Sequence, residues 1–502
     1  MQHSKFIVHW NHTSFHFTTM RSKWSMLPEE LRLQVLETLA QSSFEKHGLT
    51  NYALVCKSWQ KIFEKANFRS LTIDDEDFPR LAKIPKRCWP YVKHIWLRIL
   101  LENYYPMHRT GSVRPELLED TAAYNDRIES TIVRLFSILS SWEKVIKPDA
   151  RGITLELSVH SPSNSTYIPR GVHVKGLDMR MPFTGNPEYR DTVNVELAAS
   201  RALGGYVHIR FDNQLSRLKL VKTLIIPRHT RRRFTSFTLH QIINRLPNLE
   251  YLAYEPWKQP LETIQDMVDA GYVNLIKGSL PATLKQLVFL EDRNENLVTT
   301  ALMPSSAANE KHVRKPNYNN GVALANKSLG FENIAATFFV EARDFFQAYK
   351  PEWIWRNLRS LTLTSYLLDS KREADEINGM LQAAGVAALA MPMLQTLEIW
   401  NGGVGYAAIF AYHAERGEAV ISWTGTWDLV FSPYVLDMWR KVGYKNHRCE
   451  KLGVQQRLIE NIDDVQGYVD VIGLLRTKKH VINRQSLDEL RYELENNCIC
   501  FP

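Results

Sequence analysis

The sequence predicts a mixed α/β chain: a small helical module, then a long array of strand–helix units, then a β-hairpin with helices. Three observations carry this. Two apolar stripes at helical spacing lie within residues 26–70. A phrase of an apolar residue, two others and Leu, followed by a short β-rich run, recurs along the body. Two β-prone runs flank a glycine at position 417.

Length and composition set the frame. A chain of 502 residues is too long for one compact core, so several units or an elongated array are expected. A hydrophobic share of 44% supports a folded chain, yet no stretch reaches the roughly 18 apolar residues of a membrane span. Residues 1–25 are polar and rich in His and Thr, and are read as a disordered tail without the layout of a signal peptide. Residues 26–70 are the helical module, 71–402 the array, and 403–502 a hairpin and helical cap. The five cysteines are odd in number and scattered, which fits reduced thiols in an intracellular protein.

In the module, Pro28 suits a first helical position, where its missing N–H matters least. Glu29 and Glu30 follow, where carboxylates favour the positive end of the helix dipole. Leu31, Val35, Leu36 and Leu39 form the first stripe. Leu49, Tyr52, Ala53, Cys56, Trp59 and Phe63 form the second, after the polar run Gln41–Gly48. Helices totalling about 40 residues must lean on a body or a partner.

The opening Leu27-Pro28-Glu29-Glu30 and the closing Val55-Cys56-Lys57-Ser58-Trp59 resemble the F-box. A second Leu-Pro that the family often carries is replaced here by Ala40-Gln41-Ser42-Ser43. The resemblance implies docking on a Skp-type adaptor of a cullin–RING ubiquitin ligase, with the rest of the chain selecting a protein substrate. It implies adaptor contacts at Leu27, Pro28, Leu31, Val35, Leu36 and Leu39, and a module core containing Val55, Cys56 and Trp59. The alternative is a scaffold protein that keeps these helices only for folding. Exposure of Leu27, Pro28, Leu31 and Leu36 favours docking, and burial against the body favours the scaffold.

The recurring phrase reads Val221–Ile226, Leu249–Tyr254, Leu284–Phe289, Leu358–Leu363 and Leu394–Ile399. A weaker copy lies at Phe331–Thr337, and earlier candidates are Val92–Leu97 and Ile153–Leu157. Helical patterns fill Thr238–Leu246, Leu261–Ala270, Val340–Tyr349 and Ile377–Ala390. Alternation of strand and helix predicts parallel strands with right-handed crossovers. Units of roughly 28 to 36 residues read as an irregular leucine-rich-repeat-like solenoid, with an ordinary α/β sheet as the alternative. Asp292–Lys327 and His160–Arg170 are polar and read as loops, the first long enough to be disordered or functional.

Near the end, Tyr406–Ala414 and Ala419–Trp427 predict a hairpin. Trp423, Trp427 and Trp439 either cap the open end of the array or anchor a substrate. The longer pattern resembles a group of fungal F-box proteins with an uncharacterised C-terminal region. It is carried by Tyr52–Trp59, His94–Arg98, Leu135–Trp142, Leu361–Ser365, Met391-Pro392, Glu398–Gly402 and Trp423–Trp427.

No enzyme motif with a named residue emerges. Gly403-x-Gly405-x-x-Ala408 follows a strand as a dinucleotide fingerprint would, but the next segment is β-prone where that fingerprint needs a helix. His12 and His16 have helical metal-ligand spacing in a polar tail, and His94 and His160 read as structural. No metal or cofactor is expected. The basic run Arg228, Arg231, Arg232, Arg233 lacks an aromatic stacking platform, so a solvated loop is expected and a nucleic-acid partner is not.

Overall fold

Each recurring phrase places its apolar residues on a strand, and the strands lie side by side in chain order. The computed structural model describes residues 24, 27–42, 49–101, 116–145, 152–160, 173–175, 206–212, 214–230, 232–258, 262–292, 316–415, 417–496 and 498–500. Twelve strands form one sheet: β1 (Ser70–Ile73), β2 (His94–Leu100), β3 (Ile153–His160), β4 (Val221–Ile226), β5 (Tyr251–Tyr254), β6 (Gln286–Leu290), β7 (Asn333–Glu341), β8 (Ser360–Thr364), β9 (Thr396–Gly403), β10 (Tyr406–Glu415), β11 (Glu418–Gly425) and β12 (Leu452–Leu458). Their order across the sheet is their order in the chain. β1 to β9 are parallel, β9 to β11 form an antiparallel meander, and β12 is parallel to β11.

The register explains the repeated phrase. Leu71, Ile95, Leu155, Leu224, Leu252, Leu287, Ile334, Leu361, Leu397, Tyr412 and Ile421 are successive cross-strand partners in one row, and all are buried. Side chains alternate between faces along a strand, so this row belongs to one face. The helices are α1 (Glu29–Ser42), α2 (Leu49–Tyr52), α3 (Lys57–Asn67), α4 (Phe78–Ala82), α5 (Glu116–Glu143), α6 (Ser236–Asn244), α7 (Glu262–Gly278), α8 (Tyr318–Lys327), α9 (Ala342–Gln347), α10 (Ala374–Ala388), α11 (Pro433–His447), α12 (Tyr468–Leu474), α13 (Lys478–Val481) and α14 (Arg484–Asn496). Buried residues of α4 to α11 join the row in one continuous core. Local chemistry starts several of these helices. Thr235 accepts the Thr238 N–H to cap α6, and Ser432 accepts the Val435 N–H to cap α11, with Pro433 in its first turn.

The opposite face mixes polar, small and large apolar residues and is covered by the C-terminal helices. A second apolar cluster joins Leu290, Ala335, Phe338, Trp400 and Ile409 of the sheet to Tyr468, Val471, Ile472, Leu487 and Leu490. Buried polar groups fix the docking. Glu398 on β9 accepts the backbone N–H groups of Arg476 (2.9 Å) and Thr477 (3.1 Å) and the Thr477 hydroxyl. Glu255, after β5, accepts from the Asn483 N–H and the Ser486 hydroxyl. Arg228, after β4, pairs with Asp292 (2.7 Å) and with Glu493 of α14 (2.6 Å), and the Tyr468 hydroxyl donates to Asp292 (2.6 Å).

Several expectations are corrected here. The basic run is not a solvated loop: Arg228 and Arg233 are buried, Arg233 donates to the Lys258 carbonyl, and Arg232 lies over the Tyr124 ring. Arg231 lies outside the described residues. Asp292–Lys327 is not all loop, because α8 occupies Tyr318–Lys327 and residues 293–315 lie outside the description. The two histidines of the tail and residues 161–170 also lie outside it. Gly403-x-Gly405 is a hairpin turn: Gly403 pairs with Tyr406, and Gly405 takes φ +74°, a conformation that favours glycine. The second hairpin forms with Glu415 opposite Glu418 and Gly417 at φ +85°. It does not end the sheet, because the chain crosses through α11 and adds β12 on its outer side.

The exposed face of the N-terminal helices as candidate functional site

Helix α1 begins as the sequence dictates. The Arg32 N–H donates to the Pro28 carbonyl (3.1 Å), and Glu29 and Glu30 occupy the first turn. Helix α3 starts after Cys56, whose backbone is extended, and runs almost directly into β1. The module has a small core of its own. Leu36 (3% exposed) and Phe63 (0%) are surrounded by Trp24, Leu39, Tyr52, Ala53, Trp59 and Ile62. The rings of Tyr52, Trp59 and Phe63 pack at 5.1 to 6.1 Å, and Trp24 lies edge-on to Trp59 at 5.7 Å.

Outside this core, apolar side chains face solvent. Leu27 is 37% exposed, Leu31 47% and Val35 48%. They follow at intervals of four, a step of about 40° around a helix, so they lie along one strip. That strip borders the face that carries Leu36 and Leu39. Pro28 is exposed beside it. Leu33, Leu54 and Val55 add further exposed apolar groups to the module. Contiguous exposed apolar surface on a soluble chain marks a place where something docks.

Among the described residues, the body holds the module through α3. Arg87 donates to Glu64 of α3 (2.7 and 3.3 Å), and Gln60 donates to the same carboxylate (2.8 Å). Burial pushes Glu64 up, but the hydrogen bonds from Arg87 and Gln60 leave it below the usual carboxylate range. Phe68, just past α3, packs on the main core.

The residues singled out by the resemblance therefore separate. Leu27, Pro28, Leu31 and Val35 are exposed together, and Leu39 is half-buried at the border. Leu36 belongs to the module's core, because it points from α1 toward Phe63 of α3. Trp59 is in that core too. Val55 and Cys56 are not: Val55 is 59% exposed and Cys56 is exposed, because both lie in the turn that leads into α3. Burial pushes the Cys56 thiol up, but the Ser58 hydroxyl and the N–H groups of Trp59 and Ser58 bring it below its ordinary value.

The three C-terminal tryptophans do not form a binding surface. Trp439 is fully buried against Phe410 (5.2 Å) and Tyr412 (4.9 Å), and donates to the Leu381 carbonyl (3.1 Å). Trp423 is buried and donates to the Trp427 carbonyl (2.8 Å), with the half-buried Trp427 ring 4.8 Å away. They pack α11 and the loop after β11 onto the sheet. Among the described residues no cluster of His, Cys, Asp and Glu has the arrangement of a metal site, and no helix is long and apolar enough to cross a membrane.

Comparison with known families places these features in a class. The chain carries an F-box domain at residues 24–71, which covers α1 to α3 and the first two residues of β1. Such domains bind Skp-type adaptors of cullin–RING ubiquitin ligases, and the proteins that carry them are generally non-catalytic. A second domain, a Family of unknown function (DUF6546), spans residues 279–483 and so takes in β6 to β12 and the first two C-terminal helices. No curated protein matches the chain.

Proposed function

We propose that this chain is the substrate-recognition subunit of a cullin–RING ubiquitin ligase. The observation that carries the reading is the strip Leu27, Leu31, Val35, exposed on an F-box domain whose own core is complete without it. The strip docks on the Skp-type adaptor. Each of these residues is less than half exposed, so burying what remains of each supplies about 0.5–1.5 kcal/mol. The body then holds a protein substrate, and ubiquitin transfer is performed by partner subunits inside the cell. This chain contributes proximity, raising the effective concentration of bound substrate near the loaded enzyme. Strands β1 to β9 in chain order, with one leucine-rich row and helices on one face, support reading the body as an irregular leucine-rich-repeat-like array. The same pattern supports kinship with the fungal F-box proteins that the sequence resembles.

Co-purification with the Skp-type adaptor tests this reading. Wild-type protein is expected to retain the adaptor, and a folded Leu31→Asp/Val35→Asp variant is expected to lose it. Folded wild-type protein that fails to bind would leave the helices as a folding element of a scaffold.

A further inference from the structure

We propose that β12 is a self-pairing edge. Two copies of this chain join β12 to β12 in antiparallel sense about a two-fold axis at Gln455, so that their sheets become one. The inference is independent of the F-box reading, because it rests on the opposite end of the sheet.

β12 is the last strand of the sheet order, and among the described residues no strand pairs with its outer side. It holds seven consecutive partners on β11 without a register shift and contains no proline. Natural edge strands are commonly protected by shortness, proline, bulges or several charges. Here the only charge is Arg457.

The apolar row is also unfinished. Ile421 on β11 is 0% exposed, and its partner Val454 is 49% exposed. Leu458, opposite Gly425 on the same face, is 46% exposed. The core layer thus reaches the edge and stops with its side chains in water, one strand short of cover.

Backbone parity selects the register. The Ile459 N–H donates to the Gly425 carbonyl, so the odd residues of this segment bond to β11. The even residues 452, 454, 456 and 458 turn their N–H and C=O groups outward. An antiparallel two-fold at position 455 pairs Leu452 with Leu458 and Val454 with Gln456. Every pair joins two outward-facing residues and exchanges two hydrogen bonds, about eight in all. Leucine meets leucine on the apolar face, and Arg457 falls opposite Gly453.

Charge favours a second copy as the occupant. Arg448, Glu450 and Lys451 precede the strand, and Glu460, Asp463 and Asp464 follow it. All six are exposed, and no ion pair within the described residues engages them. The same two-fold sets Glu450 opposite Glu460, but it brings a segment with two positive charges and one negative to a segment with three negative charges, a net attraction that repeats at both ends of a symmetric dimer. The F-box enters the sheet at β1, so both modules remain free.

Sedimentation of the full-length chain at micromolar concentration tests the proposal. A dimer is expected. Val454→Pro removes an outward N–H without touching the bonds to β11, and is expected to give monomers. Lys451→Glu is expected to weaken the dimer roughly tenfold, and adding Glu460→Lys to restore it. As a check on register, in a Cys56→Ser background Gln455→Cys is expected to form a disulfide-linked dimer, since residues facing each other across such an axis lie at disulfide distance. Gln456→Cys is not. A wild-type monomer overturns the proposal, whether a different chain or another part of this one covers the edge. So does a dimer that Val454→Pro leaves intact, or cross-linking equal at 455 and 456.

Discussion

Replacing Arg228 by Met should loosen the C-terminal helices from the sheet. The Arg228 side chain is 1% exposed, and its carboxylate partners Asp292 and Glu493 are 0% and 3% exposed. The guanidinium also lies over the Trp257 ring at 4.8 Å. At an effective dielectric of about 20, a pair of charges near 4 Å apart interacts by about 4 kcal/mol. Desolvation offsets most of that in the intact network. Removing the cation alone is different, because it strands two buried carboxylates that also repel each other. Such losses run at about 3–5 kcal/mol. We expect that fall in urea denaturation followed by tryptophan fluorescence, with proteolytic cleavage between β12 and α14 in the native state. Adding Asp292→Asn and Glu493→Gln to Arg228→Met should recover at least half of the loss, since the stranded charges disappear. A loss below about 1 kcal/mol, or a triple variant no better than the single one, would refute the reasoning.

Two further predictions follow from individual groups. Cys56 should react with iodoacetamide well before Cys88 and Cys449: its thiol is exposed and shifted down, while burial pushes Cys88 up to about 11 and raises Cys449 as well. Peptide mapping of timed reactions checks the order, and equal rates would contradict it. Glu341 lies buried at the end of β7, and burial pushes its carboxyl up to about 7 against the hydrogen bonds from Ser365, Tyr366 and Arg343. The folded state therefore keeps a proton that the unfolded chain releases, and stability falls as pH rises from about 4.5 through about 7, by roughly 3 kcal/mol. Glu341→Gln should remove that slope. A stability difference from wild type that stays constant between pH 4.5 and 7.5 would show that Glu341 does not titrate there.

Much of the body was legible because one physical requirement repeats. The leucines at 224, 252, 287, 361 and 397 recur because each fills the same rung of one row, next to the same layer of helices. The hairpin glycine at 417 was legible for a similar reason, since a two-residue turn demands positive φ there; Gly405 meets the same demand in a turn the sequence did not signal.

What escaped the sequence depends on partners far along the chain. Arg228 reads as one member of a basic run, yet Asp292 and Glu493 lie 64 and 265 positions away. Helix α8 sits in an Asn-rich stretch of low helix propensity. Tertiary packing overrides that: Asn320, Gly321, Leu324 and Ala325 are buried, and a Cβ at Gly321 would meet Asp344 at 2.9 Å. On α1, periodicity groups Val35 with Leu36, and only the position of α3 decides that Leu36 is core and Val35 is surface. β12 carries only an interrupted alternation, Leu452, Val454 and Leu458 with Gln456 between them, and its last five residues are exposed.

The most direct test of the account is the affinity of the purified chain for a Skp-type adaptor, measured by calorimetric titration. Wild type should bind, and Leu31→Asp/Val35→Asp should weaken binding at least a hundredfold with an unchanged circular dichroism spectrum. Leu36→Ala should lower the stability of the module while its folded fraction still binds. Undiminished binding by the folded double variant would contradict the claim that the exposed strip of α1 is the docking face.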